Sequence, residues 1–175
     1  DRMIHAVNQF LLLTRTSPET FAEQREPVNV HVVAQEVISD LYGAIENKNQ
    51  EIALEGEEAW LLSSQFVLYT LLQNLVSNAS KYSPSGAQII IKIERRKDEL
   101  ILSVCDSGPG IPADQRAVVL NRFKRASNSS PHSGSGLGLA IVEQIVVLHG
   151  AELSLDESSL GGLEVRVAFS NDYIL

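Results

Sequence analysis

The sequence predicts an α+β fold with one mostly antiparallel sheet and helices on one of its faces. Helical patterns, in which apolar residues recur three and four positions apart, cover about residues 31–48, 64–82 and 136–149. Strand patterns lie between them, without the strict strand–helix alternation of a parallel sheet. A chain of 175 residues can bury about 70% of its unfolded surface, which is enough for a continuous apolar core.

The N-terminal elements follow from apolar spacing and from prolines. Residues 1–15 carry an apolar stripe at helical spacing, which predicts the end of a helix. Residues 16–26 are polar and contain Pro18, which predicts a linker. A short strand is predicted at 28–30, directly before the helix over 31–48.

The remaining elements are mostly strands, interrupted by a long polar segment. Charged residues 96–98 form a turn between two strong strand patterns. Residues 106–135 are rich in Gly, Pro, Ser and Asn and hold a short helix near 114–122. Gly150 ends the helix over 136–149. The predicted strands cover residues 51–54, 59–62, 87–95, 99–105, 151–155 and 163–169.

Composition excludes several classes of protein. The net charge of −8 argues against general binding to nucleic acid, whose affinity comes largely from neutralised phosphates. Cys105 is the only cysteine, which excludes an intrachain disulfide and a cysteine-built zinc site. No apolar run approaches the ~18 residues of a membrane-spanning helix. An anionic ligand remains compatible with the sequence if positive charge is gathered locally.

The helix over 64–82 has one polar face. At 100° per residue, Asn74, Asn78 and Lys81 lie within about 60° of one another, while leucines and valines occupy the opposing face. Asparagine is a mediocre helix former, so two in register call for an explanation. For this helix taken alone, a plain solvated face remains the simpler interpretation.

Two glycine-bearing turns follow predicted strands or precede a helix. Asp106 stands where a strand ends, and the two glycines in Gly108-Pro109-Gly110 permit tight curvature beside a ligand. Gly134, Gly136 and Gly138 run directly into a helix, where bare N–H groups and the positive helix end favour an anion. The second turn has neither the Gly-Lys-Ser/Thr of a Walker loop nor the spacing of a dinucleotide fingerprint.

A compact basic patch, Arg122-Phe123-Lys124-Arg125, lies between these two turns. It suits phosphate charge on an otherwise acidic protein. The polar tract 126–132 follows, and a loop of this length is usually functional or disordered. We expect a lid that orders over a ligand.

These four stretches resemble, in order and rough spacing, the N, G1, F and G2 boxes of the GHKL ATP-binding superfamily. Within it, residues from about 27 to 169 resemble the catalytic ATP-binding domain of a bacterial two-component sensor histidine kinase, and we expect this domain to span 27–175. The resemblance implies a two-layer α/β sandwich with a mixed, mostly antiparallel sheet, helices on one face and an ATP lid at about 107–135. It also implies that residues 1–15 are a remnant of the second dimerisation helix, and that 16–26 form a linker.

The resemblance implies roles for individual residues toward ATP and Mg²⁺. Asp106 would bind the adenine amino group, Asn78 would be a magnesium ligand, and Asn74 would face the same metal site as a catalytic residue. Arg125 would act near the transferred phosphate. The other implied contacts are Lys81 and Tyr82 near the phosphates and sugar; Gly108, Gly110 and Ile111 on the adenine side; Phe123 as aromatic anchor; and Gly134, Gly136, Leu137 and Gly138 around the phosphates.

The implied function is to present the γ-phosphate of Mg-ATP to a histidine, for relay to a response regulator. The phosphoaccepting histidine is missing from this chain, because none of its four histidines has the family's setting, so autophosphorylation is not expected. Asn74 replaces the glutamate of the related ATPases and cannot act as a general base, so hydrolysis should be slow. The parent protein would be a homodimer in the bacterial inner membrane, with this domain in the cytoplasm and no nucleic-acid partner.

Three alternatives stay open at this point. An anti-sigma-factor-type serine kinase shares the fold, but the helix remnant at 1–15 disfavours it. A gyrase-like ATPase is disfavoured by Asn74 and by the lack of a transducer domain. A degenerate ATP-binding module that signals by contact alone is disfavoured by the four intact motifs, and a Mg-ATP titration would discriminate it.

Overall fold

The computed structural model describes residues 17–126 and 136–175, and only the backbone of residues 122–126, 136 and 137. The helix predicted over 1–15 lies outside the described residues. So does the part of the expected lid from 127 to 135.

Five helices and seven strands make up the described residues. The helices are α1 (Pro18–Glu23), α2 (Val30–Glu46), α3 (Gln65–Tyr82), α4 (Ala113–Ala126) and α5 (Gly136–Leu148). The strands are β1 (Glu26–Asn29), β2 (Glu51–Gly56), β3 (Trp60–Ser63), β4 (Gln88–Arg95), β5 (Glu99–Asp106), β6 (Glu152–Glu157) and β7 (Leu163–Ser170). A 3₁₀ turn, Asn171–Tyr173, follows β7. The three long predicted helices are confirmed to within two residues at each end.

The main sheet has five strands in the order β2-β4-β5-β7-β6. Strands β2 and β4 are parallel, and the other three pairs are antiparallel, so the predicted mixed and mostly antiparallel sheet is confirmed. Strands β1 and β3 form a separate antiparallel pair, in which Pro27 lies opposite Leu62. The expectation of a single sheet is therefore wrong. Each of these four-residue strands runs almost directly into a helix, so both lie beside the helical layer.

The core lies between one face of the main sheet and helices α2, α3 and α5. On β5, alternate side chains such as Leu100, Leu102 and Val104 belong to this core. Leu72 of α3 and Ile141 of α5 are fully buried in the same cluster. This two-layer arrangement confirms the predicted α+β class, and it brings the carboxyl end of β5 close to α3.

The segment predicted to be a linker contains helix α1. Ser17 caps it by accepting a hydrogen bond from the Thr20 N–H at 3.2 Å, and Pro18 occupies the first turn, as suits an N-terminus. Phe21 is only 3% exposed and meets the His149 ring edge-on at 4.8 Å. Sequence spacing could not reveal this helix, because a single apolar residue in a polar segment has no period.

The short helix expected near 114–122 is α4, and it extends to Ala126. None of the helices in the described residues is long and apolar enough to cross a bilayer.

Candidate functional site

A cavity of about 330 Å³ opens at the carboxyl end of β5, where α3, α4, α5 and the start of β7 come together. This volume falls in the range of small-molecule pockets. The wall is mainly apolar, with Asp106, Asn78 and Tyr82 as the polar side chains. The lining residues are Leu75, Asn78, Ala79, Tyr82, Val104, Asp106, Pro109, Gly110, Ile111, Val119, Leu139, Leu163 and Val165.

Asp106 is the last residue of β5 and is 7% exposed. Its Oδ1 accepts two backbone hydrogen bonds, from the Gly108 N–H at 2.9 Å and the Leu163 N–H at 3.2 Å. Within the described residues, its Oδ2 accepts none. A carboxylate oxygen with unused lone pairs at the edge of an apolar cavity is an acceptor for a ligand N–H.

Close backbone packing around Asp106 depends on glycine. A Cβ on Gly162 would lie 2.2 Å from Asp106 Oδ1 and 2.4 Å from the Asp106 carbonyl oxygen. Gly110 has φ +66, which L side chains rarely adopt. Sequence analysis did not single out Gly162. Its signal was present, because the Gly161-Gly162 pair directly precedes a strand, but the need for it arises only when β7 approaches β5.

The loop at 107–112 is fastened at both ends. Ser107 Oγ accepts the Gln88 N–H at 2.8 Å, and the Ser107 N–H donates to the Gln88 carbonyl at 3.0 Å. At the other end, Arg116 Nε donates to the Ile111 carbonyl at 3.0 Å. These bonds hold Pro109, Gly110 and Ile111 as one wall of the cavity.

The polar face of α3 is divided between two environments. Asn78 and Tyr82 line the cavity, and exposed Lys81 places its Nζ 5.2 Å from the Tyr82 ring centre. Asn74 does not line the cavity. Its Nδ2 donates to the Thr70 carbonyl at 2.7 Å, and a Cβ on Gly138 would lie 3.0 Å from its Oδ1.

Helix α5 brings its N-terminal turn beside the cavity. Leu139 lines the wall, and the backbone of α5 starts at Gly136, as the glycine pattern predicted. The unbonded N–H groups of a first helical turn favour an anion. Gly134 and the side chains of Leu137, Phe123 and Arg125 lie outside the described residues, so their roles stay predictions.

A magnesium ion at this cavity would be held by a side-chain amide oxygen together with ligand phosphates, rather than by protein side chains alone. The described residues contain no group of three or more His, Cys, Asp or Glu able to hold a metal. Asn78 supplies one amide oxygen at the cavity, and magnesium commonly takes one or two protein ligands together with substrate phosphates and waters. Burial raises the pKa of the neighbouring Cys105 thiol to about 11, which keeps it protonated and unsuited to metal binding.

The site can therefore hold a flat apolar group that carries an N–H donor. The aliphatic walls provide the contact area, and the Asp106 carboxylate can orient the ligand through a hydrogen bond. Charged parts of the same ligand would extend toward Asn78, Lys81 and the start of α5.

A family comparison agrees with this chemistry. Residues 64–172 match the family described as histidine kinase-, DNA gyrase B-, and HSP90-like ATPase. The chain is 36% identical over 168 residues to the sensor protein kinase PmrB of Pseudomonas aeruginosa, covering 95% of this chain and 35% of that protein. It is 30% identical over 179 residues to the sensor histidine kinase WalK of Bacillus subtilis, covering 99% of this chain and 29% of WalK. The chain thus spans about a third of the length of these curated relatives.

Solved structures show the same fold. The mycobacterial sensor histidine kinase MprB superposes with a TM-score of 0.69 at 27% identity, covering 83% of this chain and 97% of that one. The cytoplasmic segment of histidine kinase QseC superposes with a TM-score of 0.64 at 22% identity, covering 97% and 93%. The resemblance predicted from four motifs is confirmed: the chain belongs to the histidine kinase-, DNA gyrase B-, and HSP90-like ATPases.

Proposed function

We propose that this chain is the ATP-binding catalytic domain of a sensor histidine kinase. It binds Mg-ATP and presents the γ-phosphate to a histidine on a dimerisation domain, for relay to an aspartate of a response regulator. The observation that carries the proposal is that Asp106 lines a mainly apolar cavity, with an Oδ2 that accepts no bond within the described residues.

Adenine fits the part of this cavity beside Asp106. Its exocyclic amine donates to Asp106 Oδ2, while Oδ1 stays bound to the Gly108 and Leu163 N–H groups. Guanine would place a carbonyl oxygen where adenine has its amine, and two acceptors would then face each other. The pocket therefore selects ATP over GTP.

The phosphates lie toward the polar end of the cavity. Bound magnesium neutralises part of their charge, and such transfers depend mainly on positioning and charge compensation. Asn78 is the side chain that the geometry favours as its protein ligand. Lys81 and the N-terminal turn of α5 supply the remaining positive potential on a chain whose net charge is −8. Arg125 is proposed to approach the transferred phosphate, and Asn74 remains a candidate for the same region.

The partners follow from the sensor kinase relatives. The proposed parent is a homodimer whose own dimerisation domain carries the phosphoaccepting histidine, and its second partner is a receiver domain. The domain would then lie in the cytoplasm beneath a bacterial inner membrane. Sensor kinases among the similar proteins favour this interpretation over a serine kinase or a gyrase-like ATPase.

Nucleotide titration tests the proposal. We expect Asp106→Asn to bind Mg-ADP at least tenfold more weakly by isothermal titration, because hydrogen bonds to charged groups contribute about 1.5–3 kcal/mol. The new amide could still accept both backbone bonds through its oxygen, but its NH₂ group would then face the adenine amine. Asp98→Asn, which removes the same charge from an exposed turn, should bind as the wild type does.

Magnesium dependence supplies a second arm of the same experiment. Asn78→Ala should lose most of the gain in ADP affinity that magnesium gives the wild type. The proposal fails if wild-type protein does not bind adenine nucleotides, or if Asp106→Asn binds them with wild-type affinity.

A further inference from the structure

Ser83 carries a buried hydroxyl that the proposed contacts do not use. The residue is 4% exposed, and within the described part of the chain its Oγ has no hydrogen-bond partner. Leaving a buried donor unpaired is costly, and alanine at this position would avoid that cost. Tyr82, the preceding residue, lines the ligand cavity. The unpaired Ser83 hydroxyl is therefore a candidate for a bond formed only when the ligand is present.

The backbone of Ser83 is held firmly, so only its side chain is free to turn. Ser83 ends α3 directly after Tyr82, and its N–H donates to the Ala79 carbonyl at 3.1 Å. Its carbonyl accepts from Gln50 Nε2 at 3.0 Å. Rotation between staggered χ1 positions redirects the hydroxyl without moving the chain.

The hydroxyl and the Asp106 carboxylate flank the same glycine. A Cβ built on Gly108 would lie 2.8 Å from Ser83 Oγ and 3.0 Å from Asp106 Oδ1. Gly108 thus allows the end of α3 and the end of β5 to approach each other with no side chain between them. Its N–H is one of the two donors that already hold Asp106.

We propose that Ser83 is a positioning residue for the nucleotide, and that its hydroxyl becomes a third hydrogen-bond donor to Asp106 when the base is bound. This inference rests on the proposed function, in which the base amine binds Asp106. An additional donor on the carboxylate holds Oδ2 aimed at the base amine, so this bond favours only a base that carries the amine. Ser83 is the donor placed to supply this bond, which fixes the orientation of Asp106.

Two nucleotides separate this role from a general packing role. We expect Ser83→Ala to weaken Mg-ADP binding by about tenfold or more, the range for one hydrogen bond to a charged group. Binding of purine riboside diphosphate, which lacks the amino group, should be unchanged by the substitution. Thermal unfolding without nucleotide should occur at the wild-type temperature or above it. Ser85→Ala removes a hydroxyl from an exposed serine two residues on and is the matched control.

The outcomes distinguish this inference from the proposed function. If wild-type protein binds neither nucleotide, the proposed function fails and the inference fails with it. If Asp106→Asn weakens ADP binding but Ser83→Ala does not, only the inference is overturned. It is also overturned if Ser83→Ala weakens both nucleotides equally, or if it lowers the unfolding temperature without changing the preference for ADP.

Discussion

Two buried polar sites in this domain, His149 and the Asp106–Ser83 pair, differ in how many of their polar atoms form hydrogen bonds. His149 is fully buried and uses both ring nitrogens: Nδ1 donates to the Ile145 carbonyl at 2.8 Å, and Nε2 accepts from Ser63 Oγ at 2.8 Å. At the cavity, Asp106 keeps one oxygen unbonded within the described residues, and the nearby Ser83 hydroxyl has no partner there. Complete pairing marks a structural group, whereas incomplete pairing marks a place for a ligand.

The surroundings of His149 complete the contrast. The rings of Phe21, Phe169 and Tyr173 lie 4.8 to 5.4 Å from its ring centre. Burial lowers the pKa of His149 to about 4, so the imidazole is neutral at physiological pH. This histidine joins α1, α5 and the end of β7, and it has no access to a phosphate. The comparison predicts that substitutions around His149 change only the free energy of unfolding, whereas substitutions at the cavity change nucleotide affinity.

The largest expected effect on stability comes from replacing Phe21. Phe21→Ala should lower the free energy of unfolding by about 3–5 kcal/mol, because it leaves a cavity against His149. Denaturant unfolding measures this loss, and Mg-ADP affinity at low temperature should remain that of the wild type. Phe66→Ala, at a side chain that is 41% exposed, is the control and should cost much less. A parallel fall in affinity of folded Phe21→Ala would contradict the separation of the two regions.

Lowering the pH should lower the free energy of unfolding because His149 becomes protonated. Because its folded pKa of about 4 lies below the ordinary value of 6.5, the unfolded chain takes up the proton first as pH falls. The contribution of neutral His149 is therefore complete above about pH 6.5 and is lost progressively toward pH 4, by about 3 kcal/mol in total. Urea unfolding across this range, compared between wild type and His149→Gln, measures the difference in slope. Equal slopes would show that His149 is not buried in its neutral form.

Replacing Gly162 should have a smaller effect on stability and a direct effect on nucleotide affinity. Gly162→Ala places a methyl group against Asp106 and its backbone, which should cost about 1–3 kcal/mol of stability and displace the carboxylate. Mg-ADP affinity should fall at least as far as in Asp106→Asn. Gly43→Ala, inside α2 with open space at the Cβ, is the matched control and should stabilise by about 0.5–1 kcal/mol. Unchanged nucleotide affinity in Gly162→Ala would place the ligand elsewhere.

The division of the α3 face shows the limit of helical spacing. Asn74 and Asn78 are one turn apart, so the sequence placed both toward one ligand. In the structure Asn78 lines the cavity, whereas Asn74 lies against Gly138 of α5 and bonds back to its own helix. The contact of Asn74 with Gly138 depends on where α5 packs, which the sequence of α3 does not specify.

Local sequence patterns determined the helices, the main sheet and the family of this chain. Apolar spacing set the long helices, strand alternation set the main sheet, and four short motifs identified the family, because each depends on residues close together in sequence. Tertiary packing alone decided which oxygen of Asp106 the backbone holds, why Gly162 must lack a side chain, and how Phe21 docks onto His149. These features arise between segments far apart in the chain, and one-dimensional periodicity carries no information about such contacts.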